Sequence, residues 1–97
     1  MATIASARMQ LARSRRRIDQ LDRAIVRLLN ERAREAALAG SFKRDLKLPV
    51  YCREREATVF GNIKQANSGP LTEEALTRIY RQIVRSMRGV QNRFPTE

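Results

Sequence analysis

The sequence predicts an all-α protein built of three helices, of which the first is long. Apolar residues recur at spacings of three and four along three stretches, which is the period of an amphipathic helix. Two segments containing turn-forming residues, 45–49 and 67–70, separate these stretches. No stretch alternates apolar and polar residues as a half-buried strand does, so no sheet is expected.

The first helix is predicted to run from about Ala7 or Ser14 to Arg44, with Gly40 as its only weak point. Its apolar stripe comprises Ile18, Leu21, Ile25, Leu28, Arg32, Glu35, Ala39 and Phe42. From Ser14 the helix would span about 46 Å. A compact domain of 97 residues has a diameter of only about 32 Å. In a lone chain the helix would protrude from the domain and expose its apolar stripe to water. We therefore expect a two-fold homodimer in which a second copy covers the stripe.

The second helix is predicted to follow Pro49, which suits the first position of a helix, and to run from Val50 to about Ala66. Its apolar stripe comprises Cys52, Glu56, Val59 and Ile63. The segment 67–70, with its Asn-Ser-Gly-Pro sequence, is a strong helix breaker. The second helix is therefore expected to be the shortest of the three.

The third helix is predicted to begin near Thr72, whose hydroxyl is a good cap. Glu73 and Glu74 would stand in its first turn, where the helix dipole favours acids. Its apolar stripe comprises Leu76, Tyr80, Ile83, Met87 and Gln91, backed by Ile79 and Val84. Phe94 and Pro95 are expected to end the ordered part of the chain.

Charge and composition limit the classes of function that the chain can have. A formal net charge of +10 attracts anions, whether nucleic acid, lipid or small carboxylates. No apolar run approaches the ~20 residues of a membrane span. A single cysteine, Cys52, excludes a disulfide within this sequence and fits a cytoplasmic location. Without histidine or metal-ligand spacing, we expect no metal and no imidazole base.

Four polar residues lie on the apolar stripes or beside them: Arg32, Lys43, Glu56 and Gln91. Burying such groups is costly without partners, so together they suggest a pocket for a small polar anion. Arg32 and Lys43 are 11 residues apart, and on a helix they face the same side within about 20° at a separation of ~16 Å. Each residue also has an ordinary alternative role. These are a surface arginine for Arg32, a lysine favoured by the helix dipole for Lys43, a structural ion pair for Glu56 and a solvent-exposed amide for Gln91.

These residues stand in a longer pattern that resembles one family. The sequence from Arg15 to Asp22, RRRIDQLD, is followed by LLNER ending at Arg32 and GSFK ending at Lys43. Pro49-Val and Arg55-Glu56 complete it. This order and spacing resemble the all-helical, AroQ-type chorismate mutases over about residues 14–91. We accordingly divide the chain into a basic N-terminal extension (1–13), a mutase-like domain (14–92) and a C-terminal tail (93–97).

The resemblance implies an intertwined homodimer with two active sites, an isomerase that converts chorismate to prephenate without a cofactor. By position, Arg15 of the partner subunit and Arg32 would bind the two carboxylates. Lys43 and Gln91 would donate to the ether oxygen of the substrate. Glu56 would accept a hydrogen bond from the ring hydroxyl, with Arg55 in support.

Two positions depart from the family pattern. Cys52 stands where a well-known member has an aspartate near the ring hydroxyl. Met87 stands where that member has a serine contacting a carboxylate. Losing two polar contacts would weaken binding by about 1–3 kcal/mol. We therefore expect a raised KM, or a weak enzyme that a partner enzyme of the same pathway activates.

Three alternative functions stay open. The sequence of residues 39–43 is also reminiscent of isochorismate pyruvate lyase, which shares the fold, whereas Arg55-Glu56 favours the mutase. A catalytically inactive regulatory or dimerisation module would tolerate the two lost contacts. A basic nucleic-acid-binding protein fits the net charge, but it does not explain Arg32 and Glu56 on inward stripes, and aromatic residues for base stacking make up only 5%.

Overall fold

The computed structural model describes residues 3–93. Its three α-helices are α1 (Ile4–Asp45), α2 (Arg53–Ala66) and α3 (Glu73–Arg93). Residues 3–93 contain no strand, and the all-α prediction is confirmed. None of the three helices is both long enough and apolar enough to cross a membrane, as far as the described residues go. The internal contacts divide the chain into two units, Met1–Arg32 and Ala33–Glu97.

The first unit is a single stretch of α1. Its helix begins at Ile4, earlier than either predicted start, because the Thr3 hydroxyl accepts from the Ser6 amide at 3.0 Å and so caps it. Residues 4–13 of the predicted basic extension belong to this helix, which continues beyond them without a break. Four apolar side chains of the predicted stripe are 44–55% exposed within the chain: Ile18, Leu21, Ile25 and Leu28. The homodimer that would cover them stays a prediction.

The core of the second unit is small and draws on α1 and α3. Among the described residues, the buried apolar side chains are Ala36 of α1 with Val84 and Met87 of α3. Gly40 of α1 is buried as well. The predicted stripe of α3 is thus confirmed at Met87, and Val84 beside it is buried as expected.

The buried face of α1 in this unit differs from the predicted stripe. Glu35, Ala39 and Phe42 were expected to face inward, and all three are exposed. The predicted homodimer would cover the stripe, so this part of it stays a prediction. Within the chain, α1 meets α3 at Gly40. Gly40 lies about 100° around the helix axis from Ala39, the preceding residue, which belongs to the predicted stripe.

Helix α2 begins at Arg53 rather than at Val50, and Pro49 lies in the segment that connects it to α1. The Val50 carbonyl accepts a hydrogen bond from Lys43 Nζ at 2.8 Å instead of from a helical N–H. A helix that started at Val50 would need this carbonyl for its own first turn. The predicted end of α2 at Ala66 is confirmed.

The connection between α2 and α3 follows the predicted breaker. The side-chain oxygen of Asn67 accepts from the Gly69 amide at 3.0 Å, and Gly69 adopts a φ of +79°, which suits a residue without Cβ. The Thr72 hydroxyl accepts from the backbone N–H three residues later at 3.1 Å, so the predicted cap of α3 is confirmed. The predicted end of order at Phe94 and Pro95 lies outside the described residues.

Candidate active site

The centre of the site is a lysine–glutamine pair in the second unit. Lys43 lies in the last turn of α1 and Gln91 near the end of α3, and both are half-buried. Lys43 Nζ donates to Gln91 Oε1 at 2.9 Å and to the Val50 carbonyl at 2.8 Å. An ammonium has three N–H groups and no acceptor, so Gln91 must turn its oxygen toward Lys43. Within residues 3–93, one N–H of Lys43 and the NH₂ group of Gln91 have no further protein acceptor and can donate to a ligand.

A glycine makes this pairing possible. A Cβ placed on Gly40 would lie 3.0 Å from Gln91 Cβ and 3.1 Å from both the Cα and the carbonyl oxygen of Gln91. Helices α1 and α3 therefore approach each other so closely here that a side chain at position 40 would push Gln91 back by a few tenths of an ångström. Arg44 adds a second tie, since its guanidinium donates to the Gln91 carbonyl at 3.0 Å. Together these contacts fix the backbone that carries the Gln91 amide.

The second pair in the site joins α2 to α3. Arg88 Nε donates to Glu56 Oε2 at 2.6 Å, and Arg88 Nη2 donates to the other oxygen, Oε1. This two-point geometry matches the planar guanidinium to the planar carboxylate. The side chain of Glu56 is 19% exposed and that of Arg88 is 40% exposed. The carboxylate is thus the more enclosed partner, and its plane is set by the arginine.

Electrostatics keep this carboxylate charged. The hydrogen bonds from Arg88 lower the pKa of Glu56 below its ordinary value, and the charges of Arg88 and Lys43 act in the same direction. Partial burial opposes them without prevailing. The pKa of Arg88 is raised, first by its hydrogen bonds to Glu56. The Arg88 guanidinium also lies over the ring of Tyr51, with its carbon 4.8 Å from the ring centroid.

The site combines hydrogen-bond donors and one held acceptor. Lys43 and Gln91 present N–H donors, and Glu56 keeps lone pairs beyond those that Arg88 uses. Residues 3–93 contain no cluster of His, Cys, Asp or Glu that could hold a metal ion. Such a site can bind a polar anion, stabilise charge on an oxygen and accept from a hydroxyl.

The predicted site residues occupy different parts of the structure. Arg15 is exposed and Arg32 is half-buried, and both belong to the first unit. Arg55 is exposed on α2. The structure brings Lys43 and Gln91 together, and their proposed role toward a substrate stays a prediction.

The two positions that depart from the family pattern lie in the second unit. Cys52 is half-buried directly before α2, and its Sγ lies 3.7 Å from Glu54 Oε2. It is the cap residue of α2 but forms no side-chain capping bond. Met87 is only 7% exposed and belongs to the core.

Sequence reasoning missed Arg88 and Tyr51. A structural ion pair was considered as the alternative role of Glu56, and Arg88 is the cation that forms such a pair with it. A signal was present, because Arg88 precedes Gln91 by three residues and so shares its side of α3. Tyr51 offered no comparable signal, since its ring position depends on the path of the connection between α1 and α2.

The chain is similar to known chorismate mutases in sequence and in structure. Residues 14–92 match the family described as chorismate mutase type II. A bifunctional chorismate mutase/prephenate dehydratase of Aquifex aeolicus is 40% identical over 79 residues, which cover 77% of this chain and 22% of the relative. The protein of the same description from Pseudomonas aeruginosa is 42% identical over 82 residues, covering 79% and 22%. The chain spans about a fifth of the length of these curated relatives.

A solved structure extends the similarity to the fold. The form II chorismate mutase of Thermus thermophilus matches with a TM-score of 0.86 and 26% identity. The match covers 90% of this chain and 99% of that one. The family resemblance predicted from the sequence is therefore confirmed.

Proposed function

We propose that this chain, which belongs to the chorismate mutase type II family, is an isomerase that converts chorismate to prephenate. The observation that carries the proposal is the half-buried pair of Lys43 and Gln91, whose free N–H groups form a ready donor set for one oxygen. The reaction is an intramolecular Claisen rearrangement. One carbon–oxygen bond breaks while one carbon–carbon bond forms in the same molecule, so no group or electron leaves the substrate.

Such a reaction needs a shaped, charged site and no covalent chemistry. Negative charge grows on the ether oxygen as its bond to the ring carbon breaks, and Lys43 and Gln91 stabilise it. Donors fixed in advance do this well because they need not reorganise at the moment of reaction. The ties to Val50, Gly40 and Arg44 supply that fixation. A donor of this kind contributes about 10²–10³ in rate.

Glu56 serves the ring hydroxyl in this proposal. An ionised carboxylate is an acceptor only, and its low pKa keeps Glu56 in that form at neutral pH. Arg55 would support the same end of the substrate. The position of Met87 in the core is in keeping with one lost polar contact, and Cys52 is a weak acceptor, so a high KM is expected.

The two carboxylates of chorismate need further cations, and Arg32 and Arg15 of the partner subunit are proposed for this role. The homodimer is proposed because the first unit leaves an apolar stripe uncovered along α1, including Leu21, Ile25 and Leu28. Burying such side chains is worth about 25 cal/mol per Å² of apolar surface. A second copy of the same helix is the simplest cover for it. Activation by a partner enzyme of the same pathway and a cytoplasmic location stay predictions.

The test is turnover of chorismate by the purified protein, followed as loss of its absorbance with identification of prephenate. Lys43→Ala should lower kcat/KM by about 10²–10³. Lys64→Ala is the matched control, because Lys64 is an exposed lysine whose ion pair with Glu73 lies on the surface. Salicylate and pyruvate formed from isochorismate, without prephenate from chorismate, would replace the mutase by the lyase. No turnover of either compound would leave a regulatory or dimerisation module.

A further inference from the structure

We propose that Arg88 is a positioning residue, which orients Glu56 so that the carboxylate accepts from the ring hydroxyl of the substrate. The inference rests on the proposed function and adds a residue that carries specificity for the hydroxylated ring. Arg88 need not touch the substrate itself. It acts through the carboxylate that it holds at two points.

Arg88 occupies only half of the hydrogen-bond acceptor sites of the Glu56 carboxylate. A carboxylate has about four lone-pair sites on its two oxygens. The Arg88 fork takes one on each oxygen, since Nε bonds Oε2 and Nη2 bonds Oε1. The plane of the carboxylate is then fixed, and the remaining lone pairs point to the side away from the guanidinium. A hydroxyl that reaches that side finds an acceptor whose direction is already set.

Arg88 is itself held in place. Its guanidinium lies over the Tyr51 ring, 4.8 Å from the centroid, so it is anchored to the connection between α1 and α2. An arginine anchored in this way loses less conformational freedom when it forks onto a carboxylate than a free one. The charged and titratable groups around Glu56 are Arg88 from α3, Lys43 from α1 and Tyr51 beside the guanidinium. Both cations favour the ionised acceptor.

Removing Arg88 therefore has two separable consequences. The carboxylate loses its orientation, which weakens its bond to the substrate hydroxyl. The pKa of Glu56 rises as well, because the Arg88 hydrogen bonds and charge disappear while partial burial persists. If Arg88 only joined α2 to α3, its removal would change stability, and any change in KM would not depend on the substrate hydroxyl.

The experiment compares the parent with Arg88→Met on chorismate and on an analogue that carries hydrogen in place of the ring hydroxyl. We expect KM for chorismate to rise about tenfold in the variant with little change in kcat. With the analogue, KM should be the same in both proteins. Arg85→Met is the control, because Arg85 is an exposed arginine three residues earlier on α3. It should behave as the parent.

A carboxylate titration of Glu56 by NMR gives a readout that needs no turnover. The pKa of Glu56 should be higher in Arg88→Met than in the parent, and the acid limb of kcat/KM should move to higher pH with it. Arg88→Lys keeps the charge without the fork. It should recover part of the pH shift and leave KM high, and full recovery of KM would overturn the positioning role.

The remaining outcomes separate the two proposals. An active parent whose Arg88→Met variant loses as much on the analogue as on chorismate would overturn only the role of Arg88. A parent without mutase activity would overturn the proposed function and this inference together. Where Arg88→Met does not fold, Tyr51→Leu loosens the guanidinium while keeping its charge. It should then show the same dependence on the hydroxyl, and equal losses on both substrates would overturn the proposal.

Discussion

Replacing Gly40 by alanine should impair catalysis more than it impairs folding. The new methyl carbon would lie 3.0 Å from Gln91 Cβ, where ordinary contact begins at 3.4 Å, so the neighbour must move by a few tenths of an ångström. Two of the three atoms that it meets, the Cα and the carbonyl oxygen of Gln91, belong to the backbone. Rotation of the Gln91 side chain cannot relieve them, and α3 itself must shift.

The shift acts directly on the donor pair. Lys43 Nζ and Gln91 Oε1 are 2.9 Å apart, and a displacement of a few tenths of an ångström brings the pair to the limit of about 3.2 Å for a good hydrogen bond. Misplacing a catalytic group by about 1 Å can cost 10²-fold in rate. We therefore expect kcat/KM for chorismate to fall about ten- to thirtyfold in Gly40→Ala.

Stability should change much less, because two effects oppose each other. Overpacking costs about 1–3 kcal/mol, whereas alanine is favoured over glycine inside a helix by about 1 kcal/mol. Steady-state kinetics and thermal unfolding of the same samples measure both quantities. The matched control is Gly61→Ala, since a Cβ at Gly61 meets nothing within 4 Å. It should keep the parent's kcat/KM and unfold at a slightly higher temperature.

The reasoning would be refuted if Gly40→Ala kept the parental kcat/KM, or if Gly61→Ala lost as much activity. A large loss of stability in Gly40→Ala, with normal kinetics in the folded fraction, would also refute it. That result would mean that the crossing of α1 and α3 matters for packing alone.

Four further predictions concern other parts of the chain. Arg32→Ala, like Lys43→Ala, should lower kcat/KM by orders of magnitude with an unchanged circular dichroism spectrum, and parental turnover in either would disprove the site assignment. Leu28→Lys should convert a dimer to a monomer in analytical ultracentrifugation and abolish activity, and an active monomer would exclude a shared site. Cys52→Asp should raise the unfolding free energy by about 0.5–2 kcal/mol, because Cys52 caps α2 without a side-chain bond. The same substitution should lower KM. An unchanged free energy of unfolding in urea would contradict the predicted capping effect. Glu56, whose pKa is lowered in the folded state, should stabilise the fold fully above its ordinary pKa and lose this effect as the pH falls through the folded value, whereas Glu56→Gln should lack this part of the pH dependence.

Local chemistry made parts of the fold predictable. Asn67 and Gly69 form their turn with their own atoms, and Thr72 caps the helix that it precedes. The end of α2 at Ala66 and the start of α3 at Glu73 followed from this chemistry. Information within a few residues of each boundary was sufficient.

Other parts depended on contacts between distant residues. Val50 was expected to be helical, but its carbonyl bonds Lys43, which precedes it by seven residues. The contact of α1 with α3 at Gly40 was not foreseen, because a search for large apolar residues ignores a glycine at a close helix crossing. Arg88 was overlooked because its partner, Glu56, is 32 residues away in the sequence. Lys43 and Gln91 could be placed because the family pattern supplied their long-range relation.

The two residues at the end of the connection between α1 and α2 constrain how that connection can vary. The Val50 carbonyl accepts from Lys43, and the Tyr51 ring lies under Arg88, so two adjacent residues hold these two cations. Surface connections usually accept insertions and deletions with little consequence. Here a single added residue would move both anchors at once, so variation in length is better tolerated between α2 and α3, where the turn is held by its own residues Asn67 and Gly69.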